Sequence, residues 1–398
     1  MGRRLENLEQ FGIDVVLGRT RGVRASLLRA LLYALSFIYE RIVQLRLYLY
    51  RKRIFRERTL GCLVISIGNL TVGGTGKTPI VEKFARALQT GGRRVAILTR
   101  GYKSVPHPSK RSWLDRLRNR DVDPPRIVSD GKSLLLDSLT AGDEPYMLAH
   151  NLKDVVVLVD KDRVKSGRFA IDKWKADTLL LDDGLQYLHL KHRLDIVLVD
   201  RQAPFGNEFL LPRGTLREPP RNLRRASYVF ITKSTGEAND ELIARIRSYN
   251  RTAEIIECAH KPLYLQNIQT GEQLPLERLQ GAFIGSISGI AAPESFERAL
   301  AKLGARVDLA KRYIDHHYYT PSELQSFVNR CIRRDLAMIV TTEKDAVRMP
   351  HLPETEVKVP IYFLRVEIEI LSGHESWEHC VARICKPQPL LSPERFFA

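Results

Sequence analysis

Cysteine is scarce in this sequence and unpaired. The 398 residues hold five, Cys62, Cys258, Cys331, Cys380 and Cys385, an odd and scattered set with no Cys-x-x-Cys spacing. That excludes a disulfide framework and leaves free thiols in a reducing compartment. His374 and His379 lie near the last two cysteines, but their spacing matches none of the common zinc patterns. A long apolar run is missing too. The most apolar segment, residues 23–56 (VRASLLRALLYALSFIYERIVQLRLYLYRKRIFR), has an uncharged stretch of ten residues, Ala30–Tyr39, where a membrane-spanning helix needs about twenty. No small-residue cleavage site follows a short apolar core, so no secretory signal is read. No internal repeat is evident.

Positive charge, by contrast, is in excess. The net charge is +17, and residues 1–60 carry 13 Lys or Arg against 5 Asp or Glu, so +8 of it sits in the first seventh of the chain. Such a segment suits an anionic surface, nucleic acid or lipid headgroups. Residues 23–56 contain neither Pro nor Gly. Arg24, Arg29, Arg41 and Arg46 punctuate a surface of Leu, Tyr, Phe and Ile, the interleaving of an interfacial helix whose arginines reach phosphates. A helix packed on the protein's own core is the alternative. Apolar content of 44% and charged content of 27% are those of a folded protein, and the length allows two domains.

After residue 60, short apolar runs alternate with helix-like stretches: CLVISIGN, RVAILTRG, DVVVLVD, DTLLLDDG, DIVLVD, YVFITK. Continuous β-branched runs of this kind are parallel strands covered on both faces, and the alternation predicts a doubly wound, mostly parallel α/β sheet. A second set, GAFIGSIS, LAMIVTTEKDA and PIYFLRVEI, predicts a smaller α/β domain. The expected division is a basic amphipathic segment over 1–58, a larger α/β domain over 59–255, a linker over 256–278 and the smaller domain over 279–398. The polar, proline-bounded stretch 104–125 reads as an exposed insertion.

The chemistry gathers in a few motifs. NLTVGGTGKTP, residues 69–79, follows a strand and precedes an amphipathic helix with apolar residues at 80, 81, 84, 85, 87 and 88. That order is the context of a phosphate-binding loop. Thr71 stands where the common pattern has its first glycine, a substitution that backbone at negative φ tolerates. Thr71, Val72, Gly73, Gly74, Thr75, Gly76, Lys77 and Thr78 would then cradle a nucleotide, with Lys77 on the β/γ-phosphates and Thr78 on magnesium. DTLLLDDG ends a strand in Asp182-Asp183, where carboxylates serve magnesium. In AGDEPYMLA, Asp143 and Glu144 precede a helix and are either N-terminal caps or a proton-accepting base. In RYIDHHYYTPSEL, Asp315, His316 and His317 precede a helix starting at Pro321; an imidazole there assists a base, or two histidines and an aspartate hold a metal. Arg163, Arg213, Arg217 and Arg348 lie on loops where they hold phosphate or are simply solvated.

Eight motifs occur here in a fixed order: SIGNLTVGGTGKTP, TRGY, VSDG, GDEP, LLLDDGLQ, DRQAPFGN…LLPRGTLREP, DHHYYT and VTTEKDAVR. Over about residues 20–370 the chain thereby resembles the tetraacyldisaccharide 4'-kinases, whose loop has the form TxGGxGKT. The resemblance implies a P-loop-type fold and ATP- and Mg2+-dependent phosphorylation of the 4'-hydroxyl of the acylated disaccharide 1-phosphate precursor of lipid A. It implies Asp143 as base paired with His316, Asp182 and Asp183 beside magnesium and ATP, and Arg163, Arg217 and Glu218 lining the substrate cleft. It also implies work at an anionic membrane surface, the cytoplasmic face of the inner membrane, as a peripheral or monotopic protein. Two departures stand out. The family's DDGFQH reads DDGLQY, with Leu185 and Tyr187, so the role of its His passes to Tyr187 or His189; PFGNG has become PFGNE at Glu208. Two rivals remain. A partition-type P-loop ATPase would carry its signature lysine where Val72 stands. A nucleic-acid binder would account for the charge, but the basic-aromatic interleaving is concentrated in the apolar N-terminal stretch, which suits lipid and argues for no nucleic-acid partner.

Overall fold

The computed structural model describes residues 11–12, 14–16, 18–101, 123–350, 352 and 358–386; most of the expected insertion lies outside them. Among the described residues thirteen strands form one sheet: β1 (Leu63–Asn69), β2 (Val95–Thr99), β3 (Arg126–Asp130), β4 (Val156–Val159), β5 (Thr178–Asp182), β6 (Leu194–Asp200), β7 (Tyr228–Thr232), β8 (Glu254–Asn267), β9 (Gln273–Leu274), β10 (Phe283–Ser288), β11 (Arg306–Arg312), β12 (Met338–Thr342) and β13 (Ile361–Ser372). Their order is β3-β4-β2-β5-β1-β6-β7-β8-β13-β12-β10-β11, with β9 beside β8. Pairing is parallel except at β3–β4, β8–β13 and β8–β9. The doubly wound, mostly parallel fold class is as expected, and the hydrophobic runs become strands because both faces are covered: Ile65 and Ile67 of β1 face one core and Val64 the other.

The stretch expected as a linker is regular structure. Its first part is β8, fourteen residues long, which pairs with β7 at its start and with β13 along its length. The reversal at β8–β13 sets the geometry of everything that follows. β12, β10 and β11 run parallel to β13 and hence against β1, β2 and β4 to β7, so the C-terminal ends of the two parallel strand sets point toward each other. Ligands of α/β sheets gather at such ends, and here both sets supply loops to one space.

Helices α1 (Val23–Arg51), α2 (Lys77–Thr90), α3 (Ser138–Ala141), α4 (Asp143–Asn151), α5 (Arg163–Trp174), α6 (Asp240–Tyr249), α7 (Pro293–Lys302), α8 (Pro321–Arg333), α9 (Glu343–Ala346) and α10 (His374–Cys385) cover the sheet or flank it. In α2 the expected face is buried through Ile80, Val81, Phe84, Ala85 and Leu88. His374, His379, Cys380 and Cys385 all lie on α10, and among the described residues no three His, Cys, Asp or Glu side chains gather to hold a metal.

Helix α1 does not bury its apolar surface. Of its residues Ala25 and Ser36 are buried, while Val23, Leu27, Leu31, Phe37, Ile38, Ile42 and Leu45 are 54–77% exposed. Polar contacts fasten it to the body: Ser36 Oγ donates to Leu210 O at 2.8 Å, Tyr39 OH to Arg217 O at 3.0 Å, and Arg221 pairs with Glu40 at 2.6 Å. Arg41 lies over Phe37 and Arg51 over Tyr48. Among the described residues no helix is long and apolar enough to cross a membrane.

Candidate active site

The loop between β1 and α2 is held from outside. Gly73 and Gly76 have φ of 116° and 79°, backbone that favours glycine, whereas Thr71 is not in that region. Thr71 instead bridges to Leu216, and Val72 N donates to Thr215 O at 2.7 Å. Two residues at the end of β7, which the motifs did not single out, pin loop carbonyls: Thr232 Oγ1 donates to Thr75 O at 2.9 Å and Lys233 Nζ to Gly74 O at 3.0 Å. In a planar trans peptide the carbonyl and the next N–H point oppositely, so pinning Thr75 O turns the Gly76 N–H into the loop. Lys233 is itself held by Asp200 at 2.5 Å. A lysine ending a strand was the available signal in YVFITK, and it is too common to stand out.

Lys77 and the two acids share this space. Lys77 Nζ lies 3.8 Å from Asp183 Oδ1 and donates to Asn69 Oδ1 at 3.4 Å. β5 lies beside β1 with Ile67 opposite Asp182, which carries both acids to the loop. They differ in surroundings. Asp183, at φ 52°, is gripped by Arg217 Nη1 at 2.8 and 2.7 Å; burial pushes its carboxyl up, and Lys77 and Arg217 more than reverse this, so it stays below the ordinary range. Asp182 is pushed upward by burial and by the charges of Glu144 and Asp183. Its Oδ1 is buried without a hydrogen-bond partner. A buried carboxylate with an unmatched oxygen and acidic neighbours fits a cation, with Thr78 half-buried at the start of α2.

The second strand set brings a different group. Asp143, the first residue of α4 and 5% exposed, accepts from His316 Nδ1 at 2.9 Å, Arg348 Nε at 2.7 Å and Tyr318 OH at 3.2 Å. Lys344 Nζ sits 3.3 Å from His316 Nε2. A carboxylate only accepts, so the Asp143 contact calls for a proton on His316 Nδ1, while Nε2 faces Lys344 and, at 3.9 Å, Asp315 Oδ2. His316 has φ 67°, strained backbone of the kind that collects at functional sites. Asp143 is pushed up by burial, but the His316 and Arg348 hydrogen bonds outweigh this and hold it below the ordinary carboxylate value. His317 is elsewhere, stacked on Tyr313 and bonded to Glu323 at 3.2 Å.

A family model described as tetraacyldisaccharide-1-P 4'-kinase matches residues 28–386. The chain is 39% identical over 366 residues to the tetraacyldisaccharide 4'-kinase of Syntrophus aciditrophicus, covering 89% of this chain and 93% of that one. With the enzyme of Halothermothrix orenii it shares 32% over 383 residues, covering 92% and 95%. The chain belongs to this family. A solved structure, LpxK from Aquifex aeolicus in complex with ATP, superposes with a TM-score of 0.69 at 29% identity, covering 90% of this chain and 99% of that one. The activity is therefore ATP-dependent phosphorylation of the 4'-hydroxyl of the lipid A precursor, an acylated disaccharide phosphate, and the partition-type alternative is set aside.

With the 4'-kinase family established, the remaining candidates fall into place by contact. Arg163, 4% exposed, donates from Nη2 to Asp182 O at 3.1 Å and lies over the Tyr187 ring. Tyr187, not His189, joins this group: its hydroxyl accepts from Arg163 N at 3.0 Å and donates to the cap Asp162 at 3.1 Å. Burial and the Asp162 charge push the phenol up to about 12, so it stays a neutral donor. Glu218 is buried and committed to Gln186, Asn222 and Arg225 at 2.7–3.1 Å, which anchors the loop that aims Arg217. Arg213 lies away from the site, against Phe209 and Val16 O near α1. Glu208 has φ 67° and pairs with Arg245 at 2.8 Å, so the family's glycine position is left-handed backbone that the glutamate adopts here.

Proposed function

We propose direct in-line transfer of the γ-phosphoryl group to the sugar hydroxyl, with Asp143 taking the hydroxyl proton. The single observation that carries this is the Asp143–His316 contact at 2.9 Å, made between the two strand sets. A carboxylate held below its ordinary value by an imidazole N–H and a guanidinium is charged at working pH and ready to accept a proton. Lys77 and the loop amides from Gly73 to Thr78 hold the triphosphate. Asp183, held by Arg217, keeps Lys77 in place, and Arg163 fixes the end of β5 from which Asp182 projects. The Thr78 hydroxyl and Asp182 would hold a magnesium ion, which would supply positive charge to offset that of the transferring phosphates. Phosphoryl transfer asks mainly for positioning and charge stabilisation, which these groups supply. Arg217 and Glu218 line the acceptor side through the loop they shape.

The acceptor is an acylated lipid, and α1 supplies the surface that meets its bilayer. Its exposed leucines and isoleucines enter the headgroup boundary while Arg24, Arg41 and Arg46 reach phosphates, which makes the chain peripheral or monotopic on the anionic cytoplasmic leaflet. The deciding assay incubates the purified chain with labelled ATP and the disaccharide 1-phosphate lipid; a bisphosphorylated lipid is expected, and ATP hydrolysis without labelled lipid would overturn the reading. Changing Leu31 and Ile38 to Glu should lower binding to anionic vesicles in flotation by roughly tenfold or more. Lys233→Met should weaken ATP binding by about tenfold in calorimetry, through loss of a charge-assisted bond on the loop; an unchanged affinity would show that the Gly74 contact does not shape the loop.

A further inference from the structure

The two carboxylate oxygens of Asp143 are not alike. Oδ2 accepts from both His316 Nδ1 at 2.9 Å and Arg348 Nε at 2.7 Å. Two such donors, one of them charged, use both of its lone pairs. Oδ1 meets the Tyr318 hydroxyl at 3.2 Å, a longer bond from a neutral donor on a half-buried side chain. A sugar hydroxyl is a donor of the same kind and can replace it.

Arg348 cannot swing to release Oδ2. Its side chain is fully buried beside an equally buried Asp345, with Nη1 on Asp345 Oδ1 at 3.3 Å and on Gly289 O at 3.1 Å. Asp345 is fixed in turn by Gly289 N at 3.0 Å, Tyr319 OH at 3.0 Å and Thr342 Oγ1 at 2.6 Å. These residues come from the loop after β10, the segment before α8, the end of β12 and α9, so one strand set clamps the carboxylate that the other projects.

We propose that Arg348 is the positioning residue of the transfer: with His316 it locks Oδ2 and thereby turns Oδ1 toward the acceptor hydroxyl, which takes the place of the Tyr318 hydroxyl. The proposal rests on Asp143 being the proton acceptor. The step balances simply. The sugar oxygen bonds to the γ-phosphorus, the bond from that phosphorus to the β,γ-bridging oxygen breaks, the proton passes to Oδ1, and ADP leaves.

The charged and titratable groups around Asp143 are Arg348 backed by Asp345, His316 backed by Lys344 and Asp315, Tyr318, and Glu144 next along α4. Arg348 is the buried positive charge in direct contact. Without it burial dominates, the carboxyl titrates at higher pH, and the acid limb of kcat/KM moves up with it.

The test measures kcat, KM and the pH profile of full-length Arg348→Met and Arg348→Lys with ATP and the disaccharide 1-phosphate lipid, with thermal melting as the folding control. Arg348→Met should move the acid limb up by about one pH unit. Arg348→Lys keeps the charge but not the fixed fork, so its limb should stay while kcat falls by roughly tenfold to a hundredfold. An unmoved limb in folded Arg348→Met, or wild-type kcat in Arg348→Lys, overturns the proposal, and if the Met variant does not fold the Lys variant alone decides. Full activity in Asp143→Ala would overturn the base reading itself. Inactive Asp143→Ala with unaffected Arg348 variants would overturn the positioning role alone.

Discussion

Replacing Asp143 by Ala should lower turnover by roughly 10²–10⁴-fold, the usual worth of a positioned base, while ATP still binds. Its side-chain partners, His316, Tyr318 and Arg348, all come from the second strand set, so the nucleotide loop keeps its contacts. Calorimetry with ATP and a single-turnover assay separate the two effects; near wild-type turnover would remove Asp143 from the chemistry. The variant should also be less stable. Removing the carboxylate leaves buried Arg348 with Asp345 as its remaining acid, and losing one partner of a buried pair costs up to about 3–5 kcal/mol. Asp143→Asn, which keeps the shape, is the companion variant. The sign with pH follows from the depressed carboxyl: the stabilisation is present above the unfolded-state value near 4 and is lost as pH falls through the lower folded-state value.

Lys77→Ala should damage both binding and transfer, with kcat down by about 10²–10³-fold. The loss exceeds that of one phosphate contact because Lys77 also offsets the acids. It lies 3.8 Å from Asp183 and lowers the carboxyl of Asp182 as well. Without it, a buried and a half-buried acid face an incoming triphosphate. Lys77→Arg should not restore activity, since a planar fork does not replace a compact ammonium in a tight loop. An unaltered ATP affinity in Lys77→Ala would show that the loop does not hold the triphosphate.

Most of the first strand set was legible in the sequence because buried parallel strands are written as unbroken apolar runs: VISIGN, TLLLD and IVLVD each become a strand. The edge strands were not. β3 (RIVSD) and β11 (RVDLAKR) carry polar and charged residues on their open sides, so periodicity gives them little weight. In the stretch expected as the linker, short extended pieces were legible but the single fourteen-residue strand was not, because EIIECAHKPLYLQN mixes exposed and buried positions along a strand that changes neighbours midway. Among site residues, Lys77, Asp143, Asp182, Asp183 and His316 stood out through motifs; Arg348 and Lys344 lie within VTTEKDAVR, but nothing local ties them to Asp143 and His316, and Thr232 and Lys233 act through contacts with no local signature.

By itself the sequence determined that a glycine-rich turn would sit between a buried strand and a helix, that two acids would end a neighbouring strand, and that the basic N-terminal helix could not span a bilayer. These are local matters of φ, side-chain period and apolar length. The pairing of Asp143 with His316, 173 positions away, was implied by the family resemblance and by nothing local; only the tertiary structure decided that Arg348, 205 positions away, would meet the same carboxylate. That meeting depends on β13 running against β8, which turns the second strand set to face the first, and antiparallel pairing between distant strands is set by packing across the whole sheet.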